Sequence, residues 1–389
     1  MTRPPHWITG HGCLSAAGVG VLETIETLLG GDMRRASVLD PEETRFFKLS
    51  IQDDWLRRFD FRRNGFMPNL FALLAAEEAI ASAGLTPTDL KKLRVGVCLG
   101  STVGCTNYQE EFALAYNLGK YPTAEALFDF YINNSSQFIS RYFECQGPVQ
   151  MVNNACTSGS DTVGIAANWL DADLCDLVIC GGTEVVLSKI YSGFRSLMLC
   201  SPVVCKPFDK TRQGLTLGDG AGILILEKTN SPRAPKAQFL GYGAGSDAFH
   251  PTSPHPEARG LQLAAQTALS QAGLLASDIS FINAHGTGTP HNDLAEGRWV
   301  KQHAPDTRLV ATKGYTGHTL GAAGGLEAIF TILSLIEQRL PPSRGFQELD
   351  PEIGFAPTSE VESGKYETAL SFSLGFGGTN SVLCLGRAP

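Results

Sequence analysis

Three short segments of this sequence carry side chains that could do nucleophilic chemistry. Cys156 lies in Asn-Ala-Cys-Thr-Ser-Gly, between an apolar run at 148–152 and a helix-like run at 163–170. Unpaired N–H groups at the beginning of a helix favour a thiolate, and the small residues that follow leave room for a substrate. The pattern indicates a nucleophile at Cys156, although a buried structural role is the commoner fate of a cysteine in such surroundings.

Two histidines accompany the cysteine. His285 stands where an apolar strand runs into His-Gly-Thr-Gly-Thr, which places two hydroxyls near the imidazole. His318 follows Lys313 by five residues and precedes a Gly/Ala-rich helix, in which Glu327 could pair with the lysine. Taken singly, the segments are equally compatible with a histidine that caps a loop, a solvated lysine and a run of packing glycines.

A fourth segment, Gly-Phe-Gly-Gly-Thr-Asn at 375–380, predicts a glycine turn between two strands. Such a turn can present a backbone N–H to a developing oxyanion. A simple hairpin turn is the other interpretation and the more common one.

An internal repeat suggests how these segments are positioned. The same offset, 189 residues, separates the alanine-rich stretch ending at Gly84 from the one ending at Gly273, and Asp89 from Asp278. Each copy predicts a helix that ends at a glycine, an Asp-bearing turn and an apolar strand, 95–99 in one and 279–284 in the other. The repeat indicates a duplicated scaffold with halves at 1–233 and 234–389, joined near Ser231–Pro235.

Composition limits the classes of function. The chain has 389 residues, of which 43% are hydrophobic and 18% charged, so it predicts a compact protein of two domains or two fused halves. Its net charge of −8 argues against general nucleic-acid binding, and an acidic partner would have to meet a local basic patch. The scattered cysteines lack zinc-site spacing, and no apolar run has signal-peptide or membrane-spanning length. A cytoplasmic location without membrane insertion is therefore expected.

Together and in this order, the four segments resemble those of the elongating β-ketoacyl-acyl-carrier-protein synthases. The similarity extends over nearly the whole chain and includes Pro-Phe-Asp-Lys at 207–210, Gly-Asp-Gly-Ala-Gly at 218–222 and Ser-Asp-Ala-Phe-His-Pro-Thr at 246–252. The resemblance implies an α/β thiolase fold with duplicated βα halves in a layered αβαβα arrangement. It also implies an acyltransferase that makes carbon–carbon bonds by decarboxylative Claisen condensation.

Residue roles follow from the same resemblance. Cys156 would accept the acyl chain, the N–H groups of Cys156 and Phe376 would hold the oxyanion, and His285 and His318 would hydrogen-bond the malonyl carbonyl. Phe376 would also act as a gate between the two steps. Lys313 and Glu327 would orient His318, and Glu296 would support the His285 loop. The substrate-binding residues would be Thr287, Thr289, Gly377, Thr252 and Phe208.

No metal or redox cofactor is implied, because the phosphopantetheine arrives attached to an acyl carrier protein. Basic residues that could dock this acidic partner are Arg62 and Arg63, beside Arg57 and Arg58, and then Lys206 and Lys210. The resemblance also implies a dimer, either of two identical chains or with a chain-length factor.

Some positions depart from the pattern of fatty-acid synthases. Arg-Gln-Gly-Leu at 212–215 replaces the common Arg-Asp-Gly-Phe, and Asp161 stands where many relatives have an apolar or amide residue. These features look like those of specialised type II polyketide or aryl-polyene pathways, so the pathway stays open between these and fatty-acid synthesis.

Several alternatives remain at this point. Initiating synthases use Asn where this chain has His318, and thiolases need a second cysteine that 375–380 does not contain. A chain-length-factor-like subunit would lack the active cysteine, and a cysteine hydrolase would not need the lysine or the duplicated scaffold. A non-elongating acyltransferase of the same fold is a further alternative.

Overall fold

A computed structural model describes residues 2–30, 37–38, 46–49, 55, 67–104, 106–120 and 133–389. The strands are β1 His6–Ser15, β2 Gly18–Val19, β3 Ser37–Val38, β4 Phe46–Lys48, β5 Val95–Gly100, β6 Val149–Val152, β7 Leu177–Glu184, β8 Leu217–Gly218, β9 Gly220–Lys228, β10 Ala237–Ser246, β11 Phe281–Asn283, β12 Arg308–Val310, β13 Arg339–Leu340, β14 Glu362–Ser363, β15 Thr368–Gly375 and β16 Thr379–Arg387. The helices are α1 Val21–Gly30, α2 Met67–Ser82, α3 Pro87–Leu90, α4 Thr106–Asn117, α5 Ser135–Tyr142, α6 Ser158–Asp171, α7 Ser188–Ser196, α8 Arg259–Ala272, α9 Pro290–His303, α10 Lys313–Thr316 and α11 Ala323–Glu337. Short 3₁₀ turns lie at Ala276–Asp278 and Leu320–Ala322.

The strand order repeats between the two halves. The first half runs β6-β5-β7-β9-β1 and the second runs β12-β11-β15-β16-β10. In each half the first three strands are parallel, and the last two are antiparallel to their neighbours. β1 and β10 meet over only three residue pairs, from His6–Phe239 to Ile8–Ala237, which joins the halves edge to edge. The duplication predicted from the repeated sequence is therefore visible in both order and direction.

Helices and strands alternate in five layers. α2 covers the outer face of β1 and β9, and α8 covers the outer face of β10 and β16. α6 and α11 lie between the halves, where each contacts strands of both. This is the αβαβα arrangement that the family resemblance implied.

The repeated alanines mark the places where a helix meets a strand at very short distance. A Cβ atom at Gly12 of β1 would lie 2.2 Å from the carbonyl oxygen of Ala75, and one at Gly243 of β10 would lie 1.9 Å from that of Ala264. Only glycine against a small helix residue allows such an approach, so the same pair of residue types recurs in both halves. Both helices are followed by a glycine with a left-handed φ of 69°, Gly84 and Gly273. The prediction that each helix ends at a glycine is therefore confirmed.

The central layer contains one strongly apolar helical run. Among the described residues, one helical run, Leu320–Glu337, is long and apolar enough to cross a membrane, but 89% of it is buried inside the protein. It packs against α6 through small residues, since a Cβ atom at Gly159 would lie 2.8 Å from the carbonyl oxygen of Gly321. Burial among protein layers identifies it as a core helix.

Candidate active site

Cys156 stands on a tight turn between β6 and α6. Ala155, the residue before it, adopts a left-handed φ of 48°, which is strained for a residue with a side chain. The N–H of Thr157 donates to the carbonyl oxygen of Asn154, and α6 begins at Ser158. The turn therefore holds the cysteine at the N-terminal end of α6, as the sequence predicted.

His285 follows β11 on a loop that a buried carboxylate holds in place. Glu296, in α9, accepts the backbone N–H of His285 at 2.6 Å and that of Gly286 at 2.7 Å. Burial raises the pKa of this carboxyl to about 8, although the two N–H groups oppose the shift. The prediction that Glu296 supports the His285 loop is confirmed.

His318 is held by backbone groups. Its N–H donates to the carbonyl oxygen of Thr216 at 2.6 Å, and its ring Nδ1 accepts the N–H of Leu320 at 3.3 Å. The ring is buried, with 2% exposure. Because Nδ1 accepts, the proton of the neutral ring belongs on Nε2, which is then free to donate.

The buried Lys313 ammonium lies against His285 and not against the ring of His318. Its Nζ is 3.1 Å from Nδ1 of His285, and it also donates to the carbonyl oxygen of His285 and to Glu327. The prediction that Lys313 and Glu327 orient His318 is therefore wrong. At His318 the N–H of Leu320 takes that role, whereas the lysine fixes His285 with Nδ1 as acceptor and Nε2 as donor.

The three predicted reactive groups converge. The Cys156 sulfur and one ring nitrogen from each histidine all lie within 4.8 Å of one another. The two imidazole rings meet edge to face, with centroids 4.9 Å apart and an interplanar angle of 84°. A thiolate and imidazoles are also zinc ligands, so the absence of a metal from the reaction stays a prediction.

Burial sets the protonation of the site. Burial first, and then the positive charge of Lys313, lower the pKa of the His285 and His318 imidazoles well below the usual range, so both rings are neutral at pH 7. Burial also raises the pKa of the Cys156 thiol to about 12, although Lys313 and the N–H of Phe376 act in the opposite direction. The expectation that the helix end favours a thiolate is thus outweighed by desolvation.

The glycine turn predicted at 375–380 connects β15 to β16 and lies against the cysteine. Gly377 and Gly378 have φ values of 83° and 77°, which only glycine adopts freely. The N–H of Phe376 is directed at the Cys156 sulfur. A Cβ atom at Gly375 would lie 3.2 Å from the backbone nitrogen of Cys156, so the glycine turn packs directly against the backbone of the cysteine.

An open cleft leads to these groups. Thr252, Thr287 and Thr289 line it together with both histidines, and the two hydroxyls of Thr287 and Thr289 lie 2.8 Å apart. Phe208 does not line it. This side chain is fully buried in the core beneath Gly286, so the prediction that it contacts substrate is wrong. Gly377 is exposed, and its N–H donates to the carbonyl oxygen of Pro251.

Comparison with known proteins places the chain in a family. Residues 7–231 match the N-terminal domain of the β-ketoacyl synthases, and residues 236–347 match their C-terminal domain. The chain belongs to the β-ketoacyl synthase family. It is 34% identical over 332 residues to a 3-oxoacyl-[acyl-carrier-protein] synthase 2 of Synechocystis sp., covering 80% of each chain. It is 32% identical to the synthase of the same name from Staphylococcus aureus, covering 97% of this chain and 96% of that one. A solved structure described as the ishigamide ketosynthase/chain length factor superposes over the whole of both chains, with a TM-score of 0.86 and 30% identity.

The carrier-docking residues predicted for this β-ketoacyl synthase are only partly visible. Arg57, Arg58, Arg62 and Arg63 lie outside the described residues. Lys206 is half-buried, and the exposed Lys210 pairs with Glu348 at 2.6 Å. Their role in docking stays a prediction.

Two residues of the synthase site carried no sequence signal. The ring of Phe194, in α7, stacks on that of Phe376 with centroids 5.3 Å apart. Glu184, at the end of β7, is fully buried and accepts the N–H groups of Thr102 and Gly321 at 2.5 and 3.2 Å. A lone aromatic in a helix and a glutamate after a strand are too common to be picked out without the fold that places them beside the site.

Proposed function

We propose that this protein is a β-ketoacyl-acyl-carrier-protein synthase that condenses a cysteine-bound acyl group with malonyl-carrier protein. The observation that carries the proposal is the convergence of the Cys156 sulfur and the two histidine rings within 4.8 Å. A hydrolase would need one base beside its nucleophile, whereas two neutral N–H donors at one point suit a thioester carbonyl that becomes an enolate.

In the first step the Cys156 sulfur attacks the carbonyl carbon of an acyl-carrier thioester. The N–H groups of Cys156 and Phe376 hold the oxyanion of the tetrahedral intermediate. Collapse of the intermediate breaks the bond to the pantetheine sulfur, so the carrier leaves as a thiol with the proton that Cys156 gives up. The raised pKa of Cys156 means that this proton is still present when the substrate arrives.

In the second step the malonyl thioester loses CO₂, and the electrons of the broken carbon–carbon bond move to the thioester oxygen. His285 and His318 donate from Nε2 to that oxygen and stabilise the enolate. The enolate carbon then attacks the acyl group on Cys156, and the cysteine leaves as a thiolate that takes up one proton. Lys313 and Glu327 keep His285 in the donating form, because the ammonium occupies Nδ1.

The remaining residues of the cleft would bind the phosphopantetheine arm of the carrier protein. Thr287 and Thr289, which line the cleft, would contact the malonyl group or the pantetheine, and Thr252 and Gly377 would contact it at the cleft wall and rim. The stack of Phe376 on Phe194 would separate the two steps, since rotation of the Phe376 ring opens the route to the sulfur.

The substrate would be delivered by an acyl carrier protein whose phosphopantetheine supplies the thioester, with no metal or redox cofactor. Lys206 and Lys210, with Arg62 and Arg63, would attract the acidic carrier from a chain of net charge −8. A cytoplasmic location and the division of the chain at 233/234 belong to the same proposal.

A dimer is proposed from the edge of the first sheet. Within the described residues, β6 pairs only with β5, so its other edge is free, and Val149 is 40% exposed. An exposed edge strand beside the nucleophile turn suits a second chain, either another copy or a chain-length factor. The departures at 212–215 and Asp161 favour a type II polyketide or aryl-polyene pathway over fatty-acid synthesis.

The proposal is tested by intact-mass analysis with a panel of acyl-carrier proteins, followed by malonyl-carrier protein. The wild type should gain one acyl group on Cys156 and lose it with release of CO₂ and formation of a β-ketoacyl product. His285→Ala should be acylated at close to the wild-type rate, but its condensation should fall by about 100-fold, because one donor to the enolate is lost.

Cys156→Ala is the control that should take up no acyl group. Normal condensation by His285→Ala would contradict the role of this ring. Acylation of the wild type without discharge by malonyl-carrier protein would indicate the alternative, a non-elongating acyltransferase.

A further inference from the structure

The Asp161 carboxylate is buried one turn into α6 and has no part in the chemistry above. It is 5% exposed, and three neutral donors converge on it. Oδ2 lies 2.7 Å from Nδ2 of Asn154 and 2.8 Å from the Thr157 hydroxyl, and Oδ1 lies 2.9 Å from the Tyr242 hydroxyl. A carboxylate accepts on both oxygens and donates nothing, so it satisfies three donors that an amide could not all accept.

Two of these donors belong to the turn that carries the nucleophile. Asn154 and Thr157 flank Ala155 and Cys156, and the single proton of the Thr157 hydroxyl is shared between Asp161 and the carbonyl oxygen of Asn154, 2.9 Å away. The left-handed φ of Ala155 costs about 1 kcal/mol or more and persists only where surrounding contacts hold it. Asp161 supplies two of those contacts, to Asn154 and Thr157, and the Ser158 hydroxyl adds bonds to the N–H of Asn154 and the carbonyl oxygen of Ala155.

The third donor comes from the other half of the molecule. Tyr242 lies on β10, and its ring packs so closely on α6 that a Cβ atom at Gly164 would lie 2.4 Å from it. β10 pairs with β16, where Ser246 faces Thr379, three residues after Phe376. The Thr379 hydroxyl is also 3.5 Å from that of Thr157. The carboxylate thus links the turn of Cys156 to β10, the strand that pairs with β16 next to the turn of Phe376.

We propose that Asp161 is a positioning residue whose carboxylate keeps the Cys156 turn and the Phe376 turn in register, so that both N–H groups meet the same thioester oxygen. The inference rests on the proposed function, because it concerns the oxyanion of the acyl-transfer step. Since the two N–H groups come from opposite halves, no local hydrogen bond within either turn can fix the distance between them. A misplacement of about 1 Å at such a site costs on the order of 100-fold in rate.

Two reactions of the same sulfur separate this role from general support of the fold. Acylation by an acyl-carrier thioester passes through an oxyanion, whereas alkylation by iodoacetamide displaces iodide and forms none. In Asp161→Ala the rate of acylation should fall by about 100-fold while the rate of alkylation of Cys156 stays close to that of the wild type. Asp161→Asn and Tyr242→Phe keep the side-chain volume and most of the packing. They should show smaller falls in the ratio of the acylation rate to the alkylation rate.

Asp171→Asn is the matched control, because Asp171 ends the same helix and pairs with Arg3 and His6 far from Cys156. It should leave both rates unchanged. Equal acylation of Asp161→Ala and wild type would overturn the inference, and so would a parallel fall of acylation and alkylation. If Asp161→Ala does not fold, Tyr242→Phe decides by the same ratio. Wild-type protein that no acyl-carrier thioester acylates would instead contradict the proposed function.

Discussion

The reactive thiol of this synthase is buried and protonated, and is not an exposed, preformed thiolate. Burial raises its pKa to about 12, and the same burial keeps the two histidine rings neutral. Desolvation therefore serves the second step, which needs N–H donors, at the expense of the first, which needs a thiolate. The closeness of Lys313 and of the Phe376 N–H offsets part of that cost.

Alkylation of Cys156 by iodoacetamide should consequently rise by about tenfold per pH unit from about pH 6 to about pH 9, without a plateau. The sign follows from the raised pKa, since the thiolate fraction grows with pH until the pH reaches that value. Mass analysis of the peptide that contains Cys156 would measure the rate, with Cys156→Ala to identify labelling elsewhere. A plateau near neutral pH would show that the pKa is lowered instead.

At the scale of single residues, the sequence predicted which side chains are reactive better than it predicted which side chains contact one another. Cys156, His285 and His318 stand in segments whose residue order is distinctive, so the reactive groups were found from the sequence. The partner of Lys313 was not, because His318 is five residues away along the chain whereas His285 is 28 residues away and becomes adjacent only in the fold. Phe208 was misplaced for a similar reason, since a motif shows that a residue matters but not on which side of the loop it lies.

Helices and strands hold the site through contacts that leave no space for a side chain. α6 meets the Leu320–Ala322 turn and α11 at Gly159, where an added Cβ would lie 2.8 Å from both the carbonyl oxygen of Gly321 and the nitrogen of Gly325. These contacts join the helix of Cys156 to the segment that follows His318. Small residues are therefore required between the elements and not only within turns.

Gly159→Ala should lower the free energy of unfolding by about 1–3 kcal/mol, because the added methyl forces the two segments apart. Gly193→Ala is the matched control, since Gly193 is also within a helix, α7, but nothing lies within 4 Å of its added Cβ. That change should raise the free energy of unfolding by about 0.5–1 kcal/mol through helix propensity. Equilibrium denaturation of the three proteins would measure both effects, and equal stabilities would contradict the packing argument.

The main helices and strands could be predicted where packing is repeated in both halves. The alanine-and-glycine repeat predicted α2, α8 and the strands after them, because the same short helix–strand contact recurs. The first turn of α6 could not be assigned residue by residue, since the apolar pattern indicated 163–170 and the helix starts at Ser158. Its first turn is built from small and polar residues whose hydrogen bonds to the nucleophile turn depend on the fold.

At the scale of the whole molecule, we expect two chains to associate through the free edge of β6, which pairs only with β5 among the described residues. Val149→Asp should convert the dimer to a monomer, because a carboxylate would be buried in the interface without a partner. Sedimentation velocity measures the change, with Leu275→Asp as the control, since Leu275 is an exposed apolar residue (70% exposed) away from β6. A dimer that survives Val149→Asp would contradict this interface.

The layered plan also follows from duplication, and the resemblance of the motifs to a known family predicted it. What neither the repeat nor the motifs could show is the pairing of β1 with β10 over three residues, because that pairing depends on how the two sheets twist against each other.

The central position of α11 has a consequence for synthesis of the chain. This helix contacts β7 and β9 of the first sheet, yet it is encoded after residue 320, so the ribosome finishes those strands long before their cover exists. Until α11 is synthesised, the first half of the nascent chain exposes an apolar face to water. The helical run that later covers this face is itself apolar enough to resemble a membrane-spanning segment. Because the helix made last lies at the centre, we expect the chain to need chaperones during translation and a fragment that stops near residue 233 to be insoluble.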